Sequence, residues 1–123
     1  FIAAYQPATD HERALVQSIA DTEWRLLRIP TLEAGIYALG RIEFAAEFAS
    51  EQDPAVRAAL VEAKTFLTYN RQLNNLSIQE RRLRNQLVDD LTEIRDLQEE
   101  RVAGARRAHA RRNRLRRNPA HRR

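Results

Sequence analysis

The last twenty residues of the chain, Gly104 to Arg123, read GARRAHARRNRLRRNPAHRR and hold nine arginines and no acidic side chain. Arg106, Arg107, Arg111, Arg112, Arg114, Arg116, Arg117, Arg122 and Arg123 are the side chains of this sequence best suited to a definite chemistry. A guanidinium offers a planar fork of donors to a phosphate and a flat face to a base. A run of them binds a polyanion, and its charge density supplies affinity without sequence specificity. The chemistry expected here is phosphate contact on nucleic acid, DNA or RNA. A solubilising tail, or contact with an acidic protein or anionic lipid, is the plainer use of the same charge.

Other reactive groups are sparse. His11, His109 and His121 are the three histidines, and none has metal-ligand spacing with carboxylates. Glu43 and Glu47 lie one helical turn apart and would need Glu33 or Glu62 to hold a metal. The Glu-x-x-His pairs of di-metal helix bundles are missing, so solvated or salt-bridged glutamates are expected. Cysteine is absent, which removes thiol nucleophiles and disulfides, and three glycines, Gly35, Gly40 and Gly104, make no phosphate loop. The serines have no plausible base. A protein without catalytic residues, metal or cofactor is expected.

Charge is segregated along the chain. The net charge of +4 conceals 17 acidic against 11 basic side chains in residues 1–100, followed by ten arginines and no acid in residues 101–123. An acidic body with a cationic end is the pattern of a protein that meets a polyanion at one end. Lys64 is the single lysine beside 20 arginines. A genome rich in G and C accounts for that preference, but not for the acids stopping at Glu100. The chain begins at Phe1 rather than at a methionine, as a piece of a longer protein would. No apolar run approaches the ~20 residues of a membrane-spanning helix, so a cytoplasmic protein with no membrane contact is expected.

The elements that carry these residues read as helices. Thr9 or Asp10 caps a first helix in PATDHERALVQSIADTEWRLLRIP, with Leu15, Ile19 and Leu26 on one side, Val16 and Leu27 beside them and Trp24 at the edge. Pro30 is expected to kink or restart that helix. In TLEAGIYALGRIEFAAEFAS one stripe runs through Leu32, Ile36 and Leu39 and another through Tyr37, Phe44 and Phe48, which predicts two packed faces. Asp53 and Pro54 give the clearest helix start, as cap and first helical residue, ahead of a stripe of Val56, Leu60, Ala63 and Leu67. Asn70 to Asn75 is a soft place for a turn, although helix can run through it. Ser77 and Glu80 have capping-box spacing before Leu83, Leu87, Leu91, Ile94 and Leu97, a narrow stripe like a coiled-coil seam. Leu15, Ile19, Leu26, Leu60, Leu67, Leu83, Leu87, Leu91 and Ile94 are the predicted core.

Two side chains need separate weighing. Glu23 falls within the apolar arc of the first helix, where Arg81, Arg82 or Arg84 would pair with it if the helices pack. Trp24 reads as a packing anchor with its indole N–H at the rim; a stacking platform for a base would require it to be exposed. The arginine pairs 106/107, 111/112 and 116/117 recur every five residues. On a helix each step advances about 140°, which predicts a spiral of charge rather than a face, frayed or disordered when free.

The segments YQPATDHERALVQSIADTEWRLLRIPTLEAGI and NLSIQERRLRNQL together resemble a group of bacterial helical proteins frequent in acidobacterial and planctomycete genomes. Pro7, Glu12, Leu15, Val16, Trp24, Arg25 and Leu26 carry the first part of the likeness, and Glu80, Arg81, Leu83 and Arg84 the second. Gln79 stands where that group usually has an aromatic residue. The resemblance spans most of residues 5–97 and implies a helical fold; no activity comes with it.

These readings combine into an all-α protein: an elongated antiparallel bundle of three or four helices over residues 1–103, ending in a long C-terminal helix. Residues 104–123 form an arginine-rich tail, disordered or conditionally helical. Its expected role is non-enzymatic nucleic-acid binding through phosphates. The alternative is a coiled-coil or helix-bundle interaction module, a homo-oligomer built on the apolar faces, with the tail incidental. Exposure of Tyr37, Phe44 and Phe48 would favour it.

Overall fold

A computed structural model describes residues 7–117. The described residues form helix without strand: α1 spans Asp10–Phe44, a 3-10 turn covers Ala45–Phe48, and α2 spans Pro54–Arg117. Two long helices thus replace the expected three or four. Pro30 lies inside α1 on its exposed side, where solvent can satisfy the carbonyl left without its donor. Asn70 to Asn75 lies inside α2, and Ser77 opens no new helix. Glu80 instead accepts from Arg84 Nε and Nη2 at 3.0 and 2.9 Å, an i,i+4 pair along one helix face. Weak helix formers such as Asn and Ser yield here to the burial of Leu73 and the half-burial of Leu76 on the same stretch.

The helix starts are local chemistry. Thr9 Oγ1 accepts from the Glu12 N–H at 3.1 Å, while Glu12 Oε2 accepts from the Thr9 N–H at 3.2 Å, a reciprocal capping box with Thr9 as cap. Asp53 Oδ1 accepts from the Ala55 N–H at 3.0 Å with Pro54 in the first position, as the sequence predicts. Between the helices, Arg57 donates through Nε and Nη2 to the Glu51 carbonyl at 3.0 and 2.8 Å and ties the connection to the first turn of α2.

The seam has a coiled-coil period. On α1 the buried and half-buried residues Glu12, Leu15, Ile19, Thr22, Leu26, Ile29, Glu33, Ile36 and Gly40 are spaced alternately by three and four. On α2 the same alternation runs through Leu73, Leu76, Glu80, Leu83, Leu87, Asp90, Ile94 and Leu97. Ahead of it, Val61, Thr65, Tyr69 and Leu73 follow in steps of four. Tyr69 leaves helical geometry (φ −111°, ψ 21°), and this local unwinding lies where the period changes.

The chain divides into two compact units, residues 20–87 and the remainder of both helices. In the 20–87 unit the core is Thr22, Ile29, Phe44, Val61, Thr65 and Leu73. Gly40 is buried there, and a Cβ on it would fall 1.9 Å from Thr65 Oγ1, so the helices touch where one has no side chain. The Tyr69 hydroxyl donates to Glu43 Oε2, and Lys64 Nζ pairs with Glu47 Oε1 at 3.6 Å. The hydrogen bond to the Glu43 carboxylate, with partial desolvation and the carboxylate charge behind it, holds the Tyr69 phenol above its ordinary pKa. In the terminal unit, which takes in residues 7–19 and 88–117, Leu15, Val16, Ile19 and Ile94 are buried.

Several expected core positions differ. Leu15, Ile19 and Ile94 are buried and Leu26, Leu83, Leu87 and Leu91 half-buried, whereas Leu60 and Leu67 face solvent. The buried stripe passes through Val61 and Thr65, one residue on from Leu60 and two before Leu67. One residue is about 100° of helix rotation, enough to turn the leucines outward. The close approach at Gly40 sets that rotation, because it admits the compact Thr65 side chain. Of the two predicted stripes, which run from α1 into the 3-10 turn, Phe44 is buried and Ile36, Tyr37 and Phe48 half-buried, while Leu32 and Leu39 are exposed. Glu23 is half-buried and pairs with none of Arg81, Arg82 and Arg84.

Candidate nucleic-acid interface

The arginines of interest ride on the last turns of α2. Arg106, Arg107, Arg111, Arg112, Arg114, Arg116 and Arg117 are all exposed helical residues; Arg122 and Arg123, with Asn118, Pro119 and His121, lie outside the described residues. At 3.6 residues per turn, Arg106, Arg107, Arg111, Arg114 and Arg117 fall within an arc of about 140°. That arc is centred opposite the side on which Ile94 and Arg101 lie. Five of the seven thus share a broad outward side, with Arg114 between the pairs, while Arg112 and Arg116 project on the other, so the pairs wind round the helix as their five-residue repeat predicts. None of the seven makes an ion pair with a described carboxylate, which follows from the absence of acids after Glu100.

The helix bearing this face is anchored by polar contacts to the start of α1. Arg101 Nη1 donates to Glu12 Oε2, the same oxygen that closes the Thr9 capping box. Glu12 is 3% exposed, so a buried carboxylate ties the first turn of α1 to the turn of α2 just before the arginine face. Two further bonds lie along the pair: His11 Nε2 to Glu93 Oε1 at 3.1 Å, and Ser18 Oγ to Asp90 Oδ2 at 2.9 Å. His109 accepts from Asn113 Nδ2 at 3.2 Å, one turn along the same helix. Fixing a helix before it meets its ligand removes ordering cost that a free arginine-rich tail would bear on binding.

Among the described residues no group of three or more His, Asp and Glu is placed to hold a metal. Glu43 and Glu47 are engaged by Tyr69 and Lys64. No described helix is long and apolar enough to cross a membrane.

Two features stand apart from the first expectation. Glu12 is the buried acid of the seam, and the signal for it was the Thr9-x-x-Glu12 spacing of a capping box. Trp24 is 59% exposed with the Arg28 guanidinium over its ring, 4.8 Å from the centroid, where a packing anchor with its indole N–H at the rim was expected and exposure was the condition for the alternative of a stacking platform. Its position on α1 is turned well away from Ile19, Thr22 and Leu26, which take the seam.

No family model, curated protein or solved structure matches this chain.

Proposed function

We propose that this protein binds nucleic acid without catalysis, through phosphate contacts made by the arginine face near the end of α2. The observation that carries the proposal is the set Arg106, Arg107, Arg111, Arg114 and Arg117: five exposed arginines on one side of a helix, none in an ion pair with a described carboxylate. Charge of one sign on a continuous helix face tracks a phosphate backbone and releases its counterions. Binding is strongly salt-dependent and indifferent to sequence, on DNA or RNA. For five phosphate contacts on a duplex, log affinity falls against log salt with a slope of about −4.5. Replacing the five with alanine in the full chain brings that slope towards zero while circular dichroism keeps its helical signal. Absence of binding by the unaltered chain at about 50 mM salt, where such contacts are strongest, overturns the reading.

The second reading, an interaction module, is favoured by a different observation. Leu27, Leu39 and Ile42 on α1 and Leu60 and Leu67 on α2 are exposed, between 37% and 80%. Tyr37, Phe44 and Phe48 do not support it, since none is exposed. A concentration-dependent mass in light scattering, abolished by Ile42→Glu, is the result that would select it.

A further inference from the structure

The 20–87 unit carries a second concentration of arginine that lies far from the terminal run in sequence. Arg25, Arg28, Ile29 and Leu32 on α1 and Gln79, Arg82 and Leu83 on α2 line one open cleft. Its lining includes three arginines and no carboxylate, together with the aliphatic Ile29, Leu32 and Leu83. On each helix the arginine stands beside a seam residue, Arg28 before Ile29 and Arg82 before Leu83, so packing of the seam brings the charges to one place. None of Arg25, Arg28 and Arg82 pairs with a described carboxylate, although Glu80 is close in sequence to Arg82; Glu80 is held by Arg84. Three like charges gathered without an acid repel one another, and an anion bound among them relieves that repulsion. Arg28 also reaches the other way, over the exposed ring of Trp24. One side chain thus joins the arginine-lined cleft to an aromatic surface.

We infer that this cleft binds a single-stranded segment of nucleic acid, with a phosphate held among Arg25, Arg28 and Arg82 and a neighbouring base stacked on Trp24. The inference rests on the nucleic-acid reading and adds to it a second site and a strandedness. A paired base keeps its face within the duplex stack and is unavailable to the indole, whereas an unpaired base is free to stack. The aliphatic Ile29, Leu32 and Leu83 suit contact with the sugar. An acidic peptide would satisfy the guanidiniums but leave Trp24 without a planar partner.

Trp24 is the chain's single tryptophan and reports on its own site. The full chain is titrated with the oligonucleotides dT12 and U12, following Trp24 emission and, separately, the anisotropy of an end-labelled strand. Saturable quenching by either oligonucleotide is expected, and the relative affinities of dT12 and U12 tell a DNA site from an RNA site. Arg82→Ala, on the other helix from the indole, weakens the quenching isotherm about tenfold, and Trp24→Ala lowers the affinity measured by anisotropy about five- to tenfold. Inorganic polyphosphate, which has charge but no base, leaves the emission unchanged. Quenching by polyphosphate overturns the stacking assignment. Binding by anisotropy with unaltered emission, or with an Arg82→Ala variant identical to the unaltered chain, overturns the cleft and leaves the α2 face standing. No binding of either strand by either readout overturns both sites.

Discussion

The two units join the same two helices by different means. In the terminal unit the aliphatic core of Leu15, Val16, Ile19 and Ile94 is accompanied by polar bonds between the helices, among them Glu12 with Arg101, His11 with Glu93 and Ser18 with Asp90. In the 20–87 unit the helices meet at a missing side chain, Gly40 against Thr65, with Phe44, Val61 and Leu73 around it. The difference is one of specification. A polar pair fixes which residue faces which, because a buried carboxylate has few acceptable partners. A glycine contact fixes how near the helices come, because any Cβ there would be in collision. Register in the terminal unit is thus set by charge, and helix rotation within the 20–87 unit by shape.

The apolar core should not discriminate between the units. Ile94→Ala in one and Leu73→Ala in the other remove side chains that are 0% and 7% exposed, and each should cost about 2 to 5 kcal/mol in urea unfolding. A loss below about 1 kcal/mol in only one of them would mean that the units are not alike in packing. Gly40→Ala tests shape directly. The added methyl meets Thr65 Oγ1, Cγ2 and Cβ at 1.9, 2.4 and 2.7 Å, and the clash outweighs the better helix propensity of alanine, for a net cost of about 2 kcal/mol. Thr65→Gly in that background removes all three atoms and should recover part of the loss.

That contact also shows where reading the sequence succeeds and fails. The all-helical class was legible, and so were the Asp53–Pro54 start and the buried Leu15, Ile19 and Ile94, because each is a local or strictly apolar signal; the number of helices and the helix over residues 104–117 were not. The seam as a whole was not, since Glu12, Thr22, Glu33, Gly40, Thr65, Glu80 and Asp90 occupy its positions and none scores as hydrophobic. Searching for leucines led to Leu60 and Leu67, which decorate the opposite side. The concentration of arginine at the C-terminal end was legible from composition alone. The placing of five of these arginines on one side needed the helix to extend through residues 104–117, and the cleft of Arg25, Arg28 and Arg82 needed the pairing of two segments about fifty residues apart.

Charge is tested by comparing two arginine–glutamate pairs. Arg101→Ala strands the Glu12 carboxylate, which is buried and keeps only its capping bonds, and should cost about 1 to 2 kcal/mol. Arg84→Ala releases Glu80 on one face of one helix, with the arginine side chain 65% exposed, and should cost about 0.3 to 0.5 kcal/mol. Raising salt to about 1 M should shrink the second effect further and leave most of the first, since a buried carboxylate is poorly screened. Equal losses would mean that Glu12 reaches solvent in solution and that the polar bonds do not set register.

Leu67→Ala should have the smallest effect. Leu67 is 69% exposed on α2, two residues past Thr65, which is 0% exposed, so the two lie about 200° apart around the helix. Truncating an exposed leucine removes little buried area, and alanine is at least as good a helix former, so the change in unfolding free energy should stay within about 0.5 kcal/mol of zero. Thermal unfolding at several protein concentrations sharpens the comparison. If Leu67 is covered by a second copy of the chain, its truncation destabilises more at high concentration than at low, because association and folding are then linked. A concentration-independent effect near zero places the stripe of Val56, Leu60 and Leu67 in solvent, and the core of the 20–87 unit on the Val61 and Thr65 side of α2.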